Sequence, residues 1–184
     1  MPQPTMPSSN NTGAHHTELH IRDERPDDIE AIDRITQAAF AEQPYSSHTE
    51  QFIVAALRNA GQLTLSLVAV KGDKVIGHVA VSPVTLSSGD NGWHGLGPIS
   101  VAPAHQQQGV GSALMQTAIA RLQAAGSAGC VLLGEPAYYA RFGFKANPAL
   151  ELPGVPAEYF QTLSFSGEPP VAHVQYHAAF DATA

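Results

Sequence analysis

Apolar and polar positions alternate with two different periods along this chain, and the changes of period mark its elements. Residues 1 to about 17 bury almost nothing and read as a disordered tail rich in Pro, Ser and Asn. Glu18 to Arg25 alternates around Leu19 and Ile21, as a first strand does. Arg25-Pro26-Asp27-Asp28 opens a helix, with proline in the first turn and acids near the positive end of its dipole. The stripe Ile29, Ile32, Ile35, Ala39 and Phe40 gives that helix its inner face. After a loop at Ala41–Ser46, a second helix runs from about His48 to Ala60, with Phe52, Ile53, Ala56 and Leu57 inward and Gly61 closing it. Thr64 to Lys71, a Gly72-Asp73 turn and Lys74 to Leu86 form a hairpin. Asp90-Asn91-Gly92 then turns the chain into a strand ending at Val101, which completes an antiparallel meander.

From Leu96 to Ser112 the period switches within one turn. Ile99, Ser100 and Val101 are strand, Pro103 breaks it, and Val110, Ala113, Leu114, Thr117, Ala118, Arg121 and Leu122 repeat at helical spacing until Gly126. Cys130 to Leu133 is a short apolar run, expected as a buried strand parallel to the one ending at Val101, reached by a right-handed crossover. Pro136 to Phe142 reads as a short helix capped by Gly143, and Val171 to His177 as an edge strand. Prolines 148, 153, 156, 169 and 170 mark loops between them.

Composition narrows the function. At 184 residues and 43% apolar, the chain suits one domain, expected over 18–184. A formal charge of −7 argues against a nucleic-acid surface and an anionic membrane, and admits a cationic amine. One cysteine, Cys130, excludes an internal disulfide and suits a reducing cytoplasm. No apolar run approaches the ~20 residues of a membrane span. His15 and His16 lack the further ligands that a metal site needs, so no metal is expected.

The strand–turn–helix unit carries the chemistry. Gln106, Gln107, Gln108, Gly109, Val110, Gly111 and Ser112 are the candidate cofactor-binding residues, the backbone N–H groups from Gln107 to Ser112 meeting at a helix start where the dipole contributes roughly half a positive charge. Gly109 and Gly111 leave room for a phosphate to approach. Gln106-x-x-Gly109-x-Gly111 resembles the Q/R-x-x-G-x-G/A signature of the GCN5-related N-acetyltransferase (GNAT) superfamily. Tyr138-Tyr139-Ala140-Arg141-Phe142-Gly143-Phe144 resembles a second block of that superfamily, and the surroundings of both are most similar to its YhbS-like branch.

The resemblance implies a GNAT fold, α/β, with a mixed and mostly antiparallel central sheet, a splayed parallel strand pair and flanking helices. It implies transfer of an acetyl group from acetyl-CoA, as cosubstrate, directly to a primary amine. In such a site the bulged strand Ile99-Ser100-Val101 pairs with the pantetheine, and the Ile99 N–H faces the thioester oxygen, since Pro98 has none. Tyr139 is then the general acid for the departing thiolate, and it also borders the cofactor. The usual Arg or Lys in the turn is replaced by glutamines, so CoA affinity is expected to depend only mildly on salt.

Other positions keep two readings open. No glutamate precedes the turn as in some relatives, so Glu42, His48, Glu50 and His94 are the candidates for the base, with His94 and Glu50 foremost. Glu50 also completes a capping box, Ser47-x-x-Glu50. Tyr138, Phe142 and Phe144 are expected to pack the short helix on the sheet, and Cys130 to be a core thiol. Trp93 suits a packing role or the acceptor pocket, and Arg141 and Lys145 suit solvent or the CoA phosphates. Acceptor choice falls to loops near 42–50, 87–93 and 150–166. The competing function is a non-enzymatic acyl-CoA-binding module. A different nucleotide site would need a Walker lysine or a Rossmann fingerprint, and neither is here. Family members often pair, which leaves a homodimer open.

Overall fold

The computed structural model describes residues 18–184, so the expected tail and its His15-His16 pair lie outside the described residues. In chain order the elements are β1 (Leu19–Asp23), α1 (Ile29–Phe40), α2 (Glu50–Asn59), β2 (Leu65–Lys71), β3 (Lys74–Pro83), β4 (Thr85–Leu86) and β5 (Trp93–Val101). There follow α3 (Val110–Ala124), β6 (Gly129–Leu133), α4 (Pro136–Tyr139), β7 (Lys145–Ala146), β8 (Leu150–Glu151), β9 (Phe160–Ser164) and β10 (Ala172–Gln175). Seven strands form the central sheet in the order β1-β2-β3-β5-β6-β9-β7, and β4-β10-β8 form a small second sheet. The central sheet is antiparallel except at β5–β6.

Side-chain alternation sorts the core onto two faces. Gly77, Val79 and Val81 of β3 meet α3, whose Leu114, Met115, Ala118 and Leu122 are buried there with Leu67, Cys130 and Phe144. Gly77 permits this contact: a Cβ there would stand 3.1 Å from both Leu114 Cδ1 and Val110 Cγ1. The opposite face takes α1 and α2 through Ile32, Val54, Val68 and Ala80. Arg121, expected on the inner stripe of α3, is instead only half-buried and pairs with Asp23 at 2.7 Å.

Several expectations change in the folded chain. Ile29 is 39% exposed, because a 3-10 turn at Pro26–Asp28 precedes it and rotates α1 so that Ile32, Ile35 and Thr36 point inward. The second helix starts at Glu50 rather than His48, whose φ of 59° is left-handed, and it buries Gln51 and Val54 beside Ile53 and Leu57. The strand expected to Leu86 breaks after Pro83, and Thr85–Leu86 leaves for the small sheet. There β10 lies between β4 and β8, so it is a central strand and not an edge. The supposed loop 150–166 contains β8 and β9. In β9, consecutive Phe160, Gln161 and Thr162 are all buried, which erases the two-residue period by which a strand is recognised.

Candidate active site

The parallel pair β5–β6 is the origin of the site. It holds only for Trp93↔Gly129, His94↔Cys130 and Gly95↔Val131. Beyond Gly95 the strands part, β5 following β3 and β6 following β9. One residue of β3, Ala80, faces two of β5, Gly97 and Pro98, and this bulge turns β5 away from β6.

Backbone direction past the bulge follows from one bond. Ala102 N–H donates to the Ile76 carbonyl at 2.8 Å, so residues 102 and 100 turn their amides toward β3. By alternation Ile99 and Val101 turn theirs into the gap. Ser100 therefore spends its backbone on β3, while its hydroxyl meets Thr36 Oγ1 at 3.2 Å on the face under α1. The Val101 carbonyl accepts from Gln106 Nε2 at 3.1 Å, and Gln108 Nε2 donates to the Ala104 carbonyl at 3.1 Å. Two of the three glutamines thus brace the turn.

Gln107 (φ 59°) and Gly109 (φ 82°) are left-handed within this turn, the conformation that gathers successive N–H groups into a concavity. Among the described residues, none of the six amides from Gln107 to Ser112 donates a hydrogen bond to the protein. A Cβ on Gly109 would meet nothing within 4 Å, so the approach is open. Six unspent donors, a helix dipole and an open path fit a diphosphate.

Tyr139 closes the other side. Its ring lies against Gly134, where any Cβ would collide with it, and edge-on to Tyr138 and Phe144 at 4.9 and 6.2 Å between centroids. Burial, helped by Tyr138, pushes its hydroxyl above the ordinary phenol value, so it keeps its proton at neutral pH. Cys130 is sealed in the core, where burial pushes its thiol up to about 12. Trp93 is buried and packs with Val84 and Val131.

The candidate bases part company. His94 lies five residues before Ile99, about 16 Å along the strand, and its Nδ1 is 2.9 Å from Ser127 Oγ. That hydroxyl donates to the Gly92 carbonyl at 2.7 Å, so Nδ1 carries the proton toward Ser127. Burial lowers the pKa of His94 against the raising effect of that carbonyl. Glu50 stands at the start of α2, which packs on β5. The expected capping box does not form: Ser47 Oγ meets Thr49 Oγ1 at 2.7 Å, and Ser46 Oγ donates to Glu50 Oε1 at 2.7 Å. Ser46, one residue farther from Glu50 along the chain than Ser47, takes this place, and its hydroxyl also accepts from the His48 N–H at 2.8 Å. Glu50 Oε2 is shielded from solvent and has no hydrogen-bond partner among the described residues. On the same face, a cavity of about 670 Å³ between α1 and α2 has Asp27, Glu30, Asp33, Gln51 and Arg58 among its lining residues. It contains none of the free amides.

Known proteins resolve the family at this point. The acetyltransferase (GNAT) domain matches residues 20–146. The chain belongs to the GNAT acetyltransferase family. It is 39% identical over 126 residues to the uncharacterized N-acetyltransferase YhbS of Escherichia coli (strain K12), covering 68% of this chain and 72% of that protein. A GNAT family acetyltransferase from Brucella melitensis, crystallised in complex with acetyl-CoA, superposes with a TM-score of 0.81 at 49% identity, over 90% of this chain and all of that one. E. coli YhbS in complex with CoA superposes with a TM-score of 0.82 at 31% identity, over 99% and 98% of the two chains. No described helix is long and apolar enough to cross a membrane, and the described residues hold no cluster of metal-ligating side chains.

Among the residues that chain order obscured are Ser46, which takes the place expected of Ser47, and Tyr138 with Arg141. The guanidinium stacks on the Tyr138 ring, 4.1 Å from Cζ to centroid.

Proposed function

We propose that this protein is an N-acetyltransferase that moves the acetyl group of acetyl-CoA directly onto a primary amine. The observation that carries the reading is the set of six unspent amides at the head of α3, beside a strand gap into which Ile99 and Val101 turn their backbone groups. Relatives crystallised with acetyl-CoA and with CoA support the donor. The amides of Gln107–Ser112 take the diphosphate, Ile99 and Val101 pair with the pantetheine, and the Ile99 N–H faces the oxygen on which negative charge develops. The amine nitrogen forms a bond to the thioester carbon as the carbon–sulfur bond breaks. Tyr139 gives its proton to the departing sulfur, and Glu50 Oε2 takes the proton released by the amine. His94, with Nδ1 committed to Ser127, is the weaker base. The acidic net charge favours a cationic acceptor.

The test is CoA release across a panel of primary amines, beside thermal stabilisation by acetyl-CoA. Tyr139→Phe is expected to lower kcat about 10- to 100-fold while leaving CoA affinity intact. Unchanged turnover retires Tyr139 as the acid. Stabilisation by acetyl-CoA with no release for any amine favours the non-enzymatic acyl-CoA-binding module.

A further inference from the structure

The α3 turn offers backbone dipoles but no cation, because Gln106, Gln107 and Gln108 are all neutral. A diphosphate carries more charge than the half unit at a helix end can offset. Two side chains from beyond β6 meet this need. The place a Cβ would take on Gly111 is 3.5 Å from the Tyr138 hydroxyl and 3.7 Å from Val101 Cγ2. Both are ordinary contact distances, so the Tyr138 phenol stands directly beside the second residue of α3, within the run of unspent amides. Tyr138 remains 39% exposed, and its hydroxyl has no hydrogen-bond partner among the described residues.

Arg141 completes the arrangement. Its guanidinium carbon lies 4.1 Å from the Tyr138 ring centroid and 5.0 Å from that of Phe142. Stacking on two rings holds the plane in place while leaving its N–H edge free, which is how arginine presents a fork to phosphate. No carboxylate pairs with Arg141 among the described residues. An exposed phenol thus stands beside the free amides, and an unpaired cation rests on its ring. Packing explains the ring of Tyr138, but it explains neither the aim of the hydroxyl nor the cation resting on that ring.

We propose that Tyr138 and Arg141 form a side-chain clamp on the phosphates of the acyl-CoA donor. The Tyr138 hydroxyl donates to the diphosphate, and the Arg141 guanidinium supplies the charge that the glutamine turn lacks. The inference rests on acetyl-CoA being the donor and adds the phosphate-reading residues to that site. It also reverses the expectation of a nearly salt-independent affinity, since one stacked cation is screened as ionic strength rises.

Calorimetric titration of the full chain with CoA and with pantetheine, which lacks the phosphates, tests the clamp at 50 and 300 mM salt. At low salt, Arg141→Gln is expected to weaken CoA binding about tenfold and Tyr138→Phe about three- to tenfold. Both variants leave the pantetheine response unchanged, and Arg141→Gln flattens the salt dependence for CoA. Tyr138→Phe keeps the ring and its stacking, so its loss reports the hydroxyl alone. Wild-type CoA affinity unmoved by either substitution, or an equal weakening of both ligands, overturns the proposal. A wild-type chain that binds no CoA at any salt overturns the donor reading itself, a failure visible before any variant is made.

Discussion

Acid sensitivity has a specific source in this fold. His78 of β3 is fully buried under the α1–α2 layer, and its Nε2 lies 2.8 Å from Ser66 Oγ. The Ser66 hydroxyl in turn bonds the Glu24 carboxylate, which Arg58 grips at 2.7 and 2.8 Å. His78 Nδ1 is sealed with no partner among the described residues. Burial drives the pKa of His78 down to about 4, the Glu24 charge opposing and Arg58 assisting. The folded chain therefore holds a neutral imidazole where the unfolded chain titrates near 6.5. Its contribution is complete above 6.5 and is lost as pH falls toward 4, because only the unfolded state takes up the proton. Each pH unit across that window costs about 1.4 kcal/mol, so His78 alone removes about 2 kcal/mol between pH 7.5 and 5, and about 3 kcal/mol in all. Urea unfolding of the wild type and His78→Gln at both pH values isolates the effect, since the other histidines are common to the two chains. His78→Gln is expected to start less stable at pH 7.5 yet to lose about 2 kcal/mol less on going to pH 5. Equal losses in both chains would refute the assignment.

Two glycines give further predictions. Gly109→Ala places a Cβ on a residue with φ 82° and across the open approach to the amides. It should cost about 1–2 kcal/mol of stability and weaken CoA binding roughly tenfold, read by denaturation and calorimetry. Gly95→Ala would set its Cβ 2.5 Å from Tyr176 Cε1, beneath a ring that seals the joint between the two sheets. A loss of about 1–3 kcal/mol is expected in thermal unfolding, and a neutral result would show that the ring does not lie there.

Local patterning determined much of this protein. The meander, the α3 stripe, the glycine turn and the parallel neighbour of β5 follow from spacing, because each buries one face and repeats with its own period. The turn at the head of α3 was legible too, since a strand running into a helix start exposes amides whatever surrounds it. Tertiary structure alone decided the rest. Strand β9 is covered on both faces, so no period marks it, and β10 becomes a central strand only because β4 leaves the main sheet to meet it. Whether Ser46 or Ser47 holds Glu50 depends on how the loop folds back on itself. Ser127 claims His94 from 33 residues away, and Arg141 acquires a direction only by stacking on Tyr138. Such partnerships are matters of distance between side chains brought together by the core, and chain order carries no measure of that distance.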